Sequence, residues 1–107
     1  MKILVIGGAG FIGSHLCEAY SGNHEVTSID NYISGKTDNH IDDVEYINLD
    51  AENISSLDKK FDIIFHLGEY SRVEQSLTKI DFVLHNNISP TLNVLKFAKK
   101  SNAKLIY

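Results

Sequence analysis

The chain has 107 residues, 43% hydrophobic and 22% charged, enough for one domain that buries roughly two-thirds of its unfolded surface, and this excludes a disordered or collagen-like polymer. Its 10 Lys and Arg against 14 Asp and Glu give a net charge of -4, and the basic residues are scattered apart from Lys59-Lys60 and Lys99-Lys100, which argues against a nucleic-acid partner. The longest apolar runs, Ile3 to Ile6 and Ile63 to Phe65, fall far below the ~18 residues that cross a bilayer, so no membrane partner is expected.

The N-terminus lacks the apolar stretch of a signal peptide, and the single Cys17 cannot form an internal disulfide. Both point to a reduced, cytoplasmic protein in which Cys17 is a small buried hydrophobe.

Ile3-Leu4-Val5-Ile6 is short, rich in β-branched residues and stopped by Gly7-Gly8, the pattern of a strand buried on both faces. From Phe11 to Tyr20 the spacing predicts a helix with Phe11, Ile12, Leu16, Ala19 and Tyr20 on its core face. Ser21-Gly22-Asn23 would end it with residues that tolerate a left-handed cap. Strands follow over Glu25 to Ile29, Val44 to Leu49 and Phe61 to Phe65.

A long helix is expected from Asp81 to Lys100, with Leu84, Ile88, Leu92, Leu95 and Ala98 as its apolar stripe. Asp81 at its start and Lys99-Lys100 at its end suit the helix dipole. Pro90 lies inside it, and the lost hydrogen bond, about 3 kcal/mol, predicts a kink or break near Ile88 and Ser89. Lys104 to Tyr107 forms a fifth strand. Strands alternating with helices imply a parallel sheet with right-handed crossovers, an α/β fold.

The chemistry begins at Gly7-Gly8-Ala9-Gly10-Phe11-Ile12-Gly13. A G-x-x-G-x-x-G run is weak evidence alone, but here it follows a strand and opens a helix. Asp30, 20 residues after Gly10, ends the next strand. That context fits a dinucleotide-binding turn. Gly7 would permit the tight turn, Gly10 would let a pyrophosphate approach, and Gly13 would let the helix lie close to the sheet. The amides of Ala9 to Ile12 would face the phosphates. Asp30 would accept bonds from the adenosine ribose hydroxyls and repel a 2'-phosphate, with Lys36 the only base in the following loop, so NAD is favoured over NADP.

With these residues in place, the sequence resembles the extended short-chain dehydrogenase/reductase family. The resemblance is carried by Gly7 to Leu16, Ile29-Asp30-Asn31, Phe61 to Gly68, and Asn86-Asn87-Ile88 with Thr91-Leu92-Asn93, and it covers the whole chain. Within the family it looks most like the NAD-dependent nucleotide-sugar epimerases and dehydratases of the UDP-hexose 4-epimerase kind. The resemblance implies a three-layer Rossmann sheet of order 3-2-1-4-5, ending after its fifth strand. It places Phe11 and Ile12 under the pyrophosphate and Asp30 with Asn31 at the adenosine ribose. Asp50 and Ala51 match an adenine-edge position. Leu67, Gly68 and Glu69 lie beside the pyrophosphate and nicotinamide ribose, and Asn86 lies near the nicotinamide or sugar. His66 has a family counterpart but no evident chemical duty.

Two departures stand out: Glu69 where a small residue is usual, and Pro90 in place of a glycine. The family's tyrosine with a lysine four residues later, and its orienting Ser or Thr, lie beyond the fifth strand. Tyr32 and Lys36 have that spacing, but they sit in a loop directly after the ribose acid and read as a cofactor-rim loop. The histidines make no metal-ligand pair, and no metal site is expected.

Residues 1–107 therefore read as the N-terminal part of an NAD-binding Rossmann domain without catalytic or substrate parts. Such a chain is expected to offer a site for the adenosine and pyrophosphate of NAD and not to turn over a nucleotide sugar by itself, and the resemblance implies a homo-oligomer joined through the long helix. A dehydratase fragment and a catalytically silent NAD-binding module are the alternatives.

Overall fold

The computed structural model describes residues 1–33, 35–67 and 80–106, without the side chains of 80–89. In chain order the elements are β1 (Lys2–Ile6), α1 (Phe11–Ser21), β2 (Glu25–Asp30), β3 (Val44–Asn48), β4 (Ile63–His66), α2 (Ile80–Ser101) and β5 (Lys104–Ile106), with 3-10 turns at Thr37–Asn39 and Ala51–Ser56. All strand pairs are parallel, and the sheet order is β3-β2-β1-β4-β5. The sequence predicts this order, and strand bounds agree to within two residues.

Side chains alternating along the strands build two cores, one on each face of the sheet. From β1, Ile3 and Val5 join Cys17, Val26 and Phe65 under α1, while Leu4 and Ile6 join Ile29, Ile54, Ile64, Val94 and Phe97 under α2. The result is the expected three layers. Ile3, Leu4 and Val5 are fully buried, each contributing about 1.5–3 kcal/mol relative to an exposed position. The outer strands are wetter, with Ile106 of β5 39% exposed.

Only part of each helix face predicted from the spacing reaches the sheet: Leu16 and Tyr20 on α1 and Ala98 on α2 do, whereas Ala19 is exposed. On α1 the buried residues are Gly13 and Cys17, with Leu16 and Tyr20 packed beside them and Tyr20 stacked on Phe65 at 5.7 Å. Phe11 and Ile12 are exposed instead, at 68% and 67%, and Gly13 is the residue that packs closely, against the Gly7-Gly8 turn. On α2 the stripe holds at Ala98 and departs at Leu92 and Leu95. Leu92 and Leu95 are exposed, whereas Pro90, Val94, Phe97 and Ala98 are buried. Phe97 meets Phe61 at 6.2 Å, and Asn93 Nδ2 donates to the Glu52 carbonyl at 3.0 Å, which fixes the rotation of the helix. Leu84 and Ile88 have side chains outside the described residues.

Helix continuity and helix closure are both set by local packing. The α2 helix runs through Pro90 without the expected break. Burial of Pro90, Val94, Phe97 and Ala98 on one side of the helix offsets the missing donor. At the end of α1, Gly22 is right-handed (φ -72°), and the amides of Asn23 and His24 both donate to the Tyr20 carbonyl at 3.2 and 3.0 Å. That tight turn closes the helix without a left-handed residue. The left-handed cap occurs at α2, where Asn102 (φ 55°) donates to Lys99 and Ala103 to Ala98, the paired bonds of a Schellman motif.

Candidate functional site

The sheet order reverses around β1: the chain runs outward through β2 and β3, then crosses to β4 on the other side. A crevice opens at such a switch point, at the carboxyl ends of the strands. The turn after β1 occupies it. Gly7 donates to the Ile29 carbonyl at 2.8 Å on one flank, and Leu67 donates to the Ile6 carbonyl at 2.9 Å on the other.

Gly7 has φ 88°, a backbone state that L side chains rarely adopt. At Gly13 an added Cβ would lie 2.1 Å from the Gly7 carbonyl oxygen and 2.8 Å from Gly8 Cα. Its role is therefore close approach, as the sequence predicts, though the surface it approaches is the turn itself.

The turn's amides divide into used and open groups. Gly10 donates to the Gly7 carbonyl at 3.1 Å, and Ala9 donates to Asp30 Oδ2 at 3.0 Å. The expectation that all amides from Ala9 to Ile12 face a phosphate is therefore corrected. Ala9 and Gly10 are committed to the protein because the turn must satisfy its own buried donors. Ser14 makes the first bond of α1, to the Gly10 carbonyl at 3.0 Å. The amides of Phe11 and Ile12 precede it and are open to an anion at the positive end of the helix.

Asp30 ends β2, 9% exposed, with both carboxylate oxygens on backbone amides: Oδ2 on Ala9, and Oδ1 on Tyr32 at 2.7 Å. These bonds lock its rotamer at the crevice and leave further lone pairs for hydroxyl donors. Tyr32 is left-handed at φ 60°, a strained state for a bulky residue that the bond to Asp30 helps to hold. Asn31 Oδ1 accepts from the Ile33 amide at 3.1 Å, so this predicted ribose contact also shapes the loop. Asp50 begins the 3-10 turn Ala51–Ser56 and caps it, Oδ1 accepting from the Glu52 amide at 3.0 Å. Ala51 is half-buried behind it and packs on the α2-side core.

His66 is buried at the end of β4, its Nε2 3.2 Å from Thr91 Oγ1 on α2, a tether between strand and helix. Leu67 is half-buried beside the α1-side core. Gly68 and Glu69 lie outside the described residues. So does the side chain of Asn86, whose backbone lies on α2.

Tyr32 and Lys36 do not form a catalytic pair. The Tyr32 hydroxyl lies 2.7 Å from His40 Nε2. Burial and the Asp30 charge push the phenol above its ordinary range, opposite to what a tyrosine base requires.

Several residues at the site escape sequence reasoning. A Cβ on Gly8 would lie 2.1 Å from Ser28 Oγ, and one on Gly35 would lie 2.7 Å from Asp30 Oδ2. Asn39 Nδ2 donates to the Ala9 carbonyl at 2.8 Å across 30 residues. The Gly35-Lys36 turn chemistry in the loop is the only signal that marks this segment in the sequence.

Comparison with known proteins agrees with this geometry. The model of the NAD dependent epimerase/dehydratase family matches residues 3–107. The chain is 34% identical over 113 residues to a UDP-N-acetyl-alpha-D-glucosaminuronate decarboxylase of Bacillus cytotoxicus, covering 99% of the chain and 35% of the relative. It is also 34% identical over 125 residues to a UDP-glucose 4-epimerase of Caenorhabditis elegans, covering 97% and 36%. Among solved structures, a Thermotoga maritima UDP-glucose 4-epimerase with UDP-glucose superposes with TM-score 0.87 at 31% identity over 96% of the chain and 35% of its own. A Thermus thermophilus UDP-glucose 4-epimerase complex with NAD gives TM-score 0.88 at 28% identity, covering 100% and 37%. The chain thus spans about a third of the length of these relatives.

Proposed function

Because the chain belongs to the NAD-dependent epimerase/dehydratase family, we propose that it is the NAD-binding part of a nucleotide-sugar epimerase of the UDP-hexose 4-epimerase kind. The observation that carries the reading is Asp30 at the switch-point crevice, held by the Ala9 and Tyr32 amides and set opposite a glycine turn that leaves Phe11 and Ile12 open. Those residues fit a dinucleotide: two open amides and a helix end for the pyrophosphate, and a fixed carboxylate for the ribose hydroxyls. A 2'-phosphate would meet that carboxylate as a like charge, which favours NAD over NADP. Asn31, Asp50 and Ala51 complete the adenosine side in this proposal, and Leu67, Gly68, Glu69 and Asn86 the nicotinamide side.

When bound, NAD supplies a reversible hydride acceptor for a sugar carbon. The chain's own contribution is to bind and orient it. We assign the proton-transfer groups to a part of the protein outside residues 1–107, and propose that this chain alone does not turn over. We further propose an isomerase in preference to a lyase, a nucleotide-sugar substrate, homo-oligomeric assembly and a cytoplasmic location. A decarboxylase is a second reading beside the dehydratase alternative, supported by the similarity to the Bacillus cytotoxicus decarboxylase.

Titration calorimetry with NAD, NADP and ADP-ribose tests the cofactor assignment. Wild type should bind NAD and ADP-ribose and bind NADP at least about tenfold more weakly, and Asp30→Ala should lose about tenfold or more in NAD affinity. Equal binding of NAD by wild type and Asp30→Ala would refute the role of Asp30. Assay of the full-length protein with UDP-glucose and UDP-glucuronate separates epimerase from decarboxylase.

A further inference from the structure

Ala9 is fully buried and is gripped from several directions at once. Its amide donates to Asp30 Oδ2 at 3.0 Å. Its carbonyl accepts from the Lys36 amide at 3.0 Å and from Asn39 Nδ2 at 2.8 Å. Its side chain faces Gly35, where a Cβ would lie 2.9 Å from Ala9 Cβ. The loop after β2 therefore closes over the glycine turn and is fastened to it at one residue.

The Lys36 bond is a backbone bond, open to nearly any residue at that position. The Asn39 bond depends on the side chain. Asn39 sits in the 3-10 turn Thr37–Asn39, whose Asn39 and His40 amides donate to the Lys36 and Thr37 carbonyls, both at 3.0 Å. The donor is thus presented from a folded support, and the bond is made against a buried carbonyl, where hydrogen bonds are strong. Two donors on the carbonyl and one acceptor on the amide fix the peptide planes on both sides of Ala9. Those planes set where the Asp30 carboxylate rests and, past the committed Gly10 amide, where the open amides of Phe11 and Ile12 point.

We propose that Asn39 is a positioning residue for the cofactor site: by holding the Ala9 carbonyl it pre-sets the Asp30 carboxylate and the open helix amides before the dinucleotide arrives. The inference rests on the dinucleotide reading above. Its physical content is that ligand binding need not order the turn, so that cost does not subtract from affinity.

The test combines amide hydrogen exchange by NMR on the ligand-free chain with calorimetry using NAD. In Asn39→Ala, exchange at Ala9 should accelerate by about tenfold while Leu4 and Val5 in β1 exchange as in wild type, and NAD should bind about tenfold more weakly. Asn39→Asp keeps the size but sets a carboxylate against the carbonyl oxygen, and should weaken NAD binding further. Unchanged Ala9 exchange, or faster Ala9 exchange with unchanged NAD affinity, overturns the proposal. Equal acceleration in β1, or an unfolded variant, also overturns it, since Asn39 would then be a general stabiliser. If wild type fails to bind NAD, the cofactor reading falls, while the exchange data still report whether Asn39 holds the turn.

Discussion

Asp30 and Cys17 are both buried and polar, and they differ in how burial is compensated. Asp30 keeps two backbone amides on its carboxylate, so its charge is stabilised by fixed donors where water is scarce. Cys17 is a free thiol whose pKa burial pushes up to about 11 from an ordinary 9.0, against an opposing hydrogen bond with Tyr46. A pKa raised on folding means that the folded state favours the protonated thiol. The corresponding stability is fully present below the unfolded value and is lost as pH rises through the folded one. Urea unfolding should therefore show stability falling between pH 9.0 and about 11, with a shallower fall in Cys17→Ala. Part of the slope should persist in that variant, because the Tyr46 phenol is pushed up as well, chiefly by burial. An identical slope in the two proteins would show that Cys17 does not contribute.

At the scale of elements, α2 shows how an amphipathic helix can offer two plausible faces. Of the stripe predicted from the sequence, Ala98 reaches the core while Leu92 and Leu95 do not, and Val94 and Phe97 take their place. Sequence periodicity weighs all apolar residues alike, whereas packing selects the rotation that fits Phe97 beside Phe61 and Asn93 on the Glu52 carbonyl. Truncation should follow burial. Phe97→Ala should cost about 3–5 kcal/mol and Val94→Ala about 2 kcal/mol, and Leu92→Gln and Leu95→Gln about 0.5 kcal/mol or less each in urea unfolding of the monomer. Comparable losses at Leu92 and Val94 would restore the stripe read from the sequence.

At the scale of the whole molecule, the sheet has two outer strands of different character. β3 carries Glu45, which accepts an ion pair from Lys59 at 2.6 Å, a charge that discourages another strand from adding there. On β5, Ile106 is 39% exposed, and Leu92 and Leu95 add apolar surface on α2 at 55% and 48%. The chain should therefore self-associate as concentration rises in light scattering. Ile106→Lys should reduce the apparent mass through loss of strand addition and Leu92→Gln through loss of helix contact, and a drop in only one of them names the surface that drives association. A monomer at all concentrations would mean that these surfaces are too small or too well hydrated to associate.

The local grammar of the chain was enough to give the parallel sheet and the meeting of the glycine turn with Asp30, while the strand order came from the family resemblance. β-branched runs form strands, a strand stopped by glycines leads into a helix, and an acid at the next strand end falls beside that turn wherever right-handed crossovers operate. These features depend on neighbours along the chain or on topology. The committed Ala9 amide, the clasp of Gly35 and Asn39 on Ala9, the rotation of α2, and its passage through Pro90 depend on contacts between residues far apart in sequence. Burial there chooses among states that local propensity leaves nearly equal. A donor 30 residues from its acceptor leaves no periodic trace in the sequence, and only folding brings the two together.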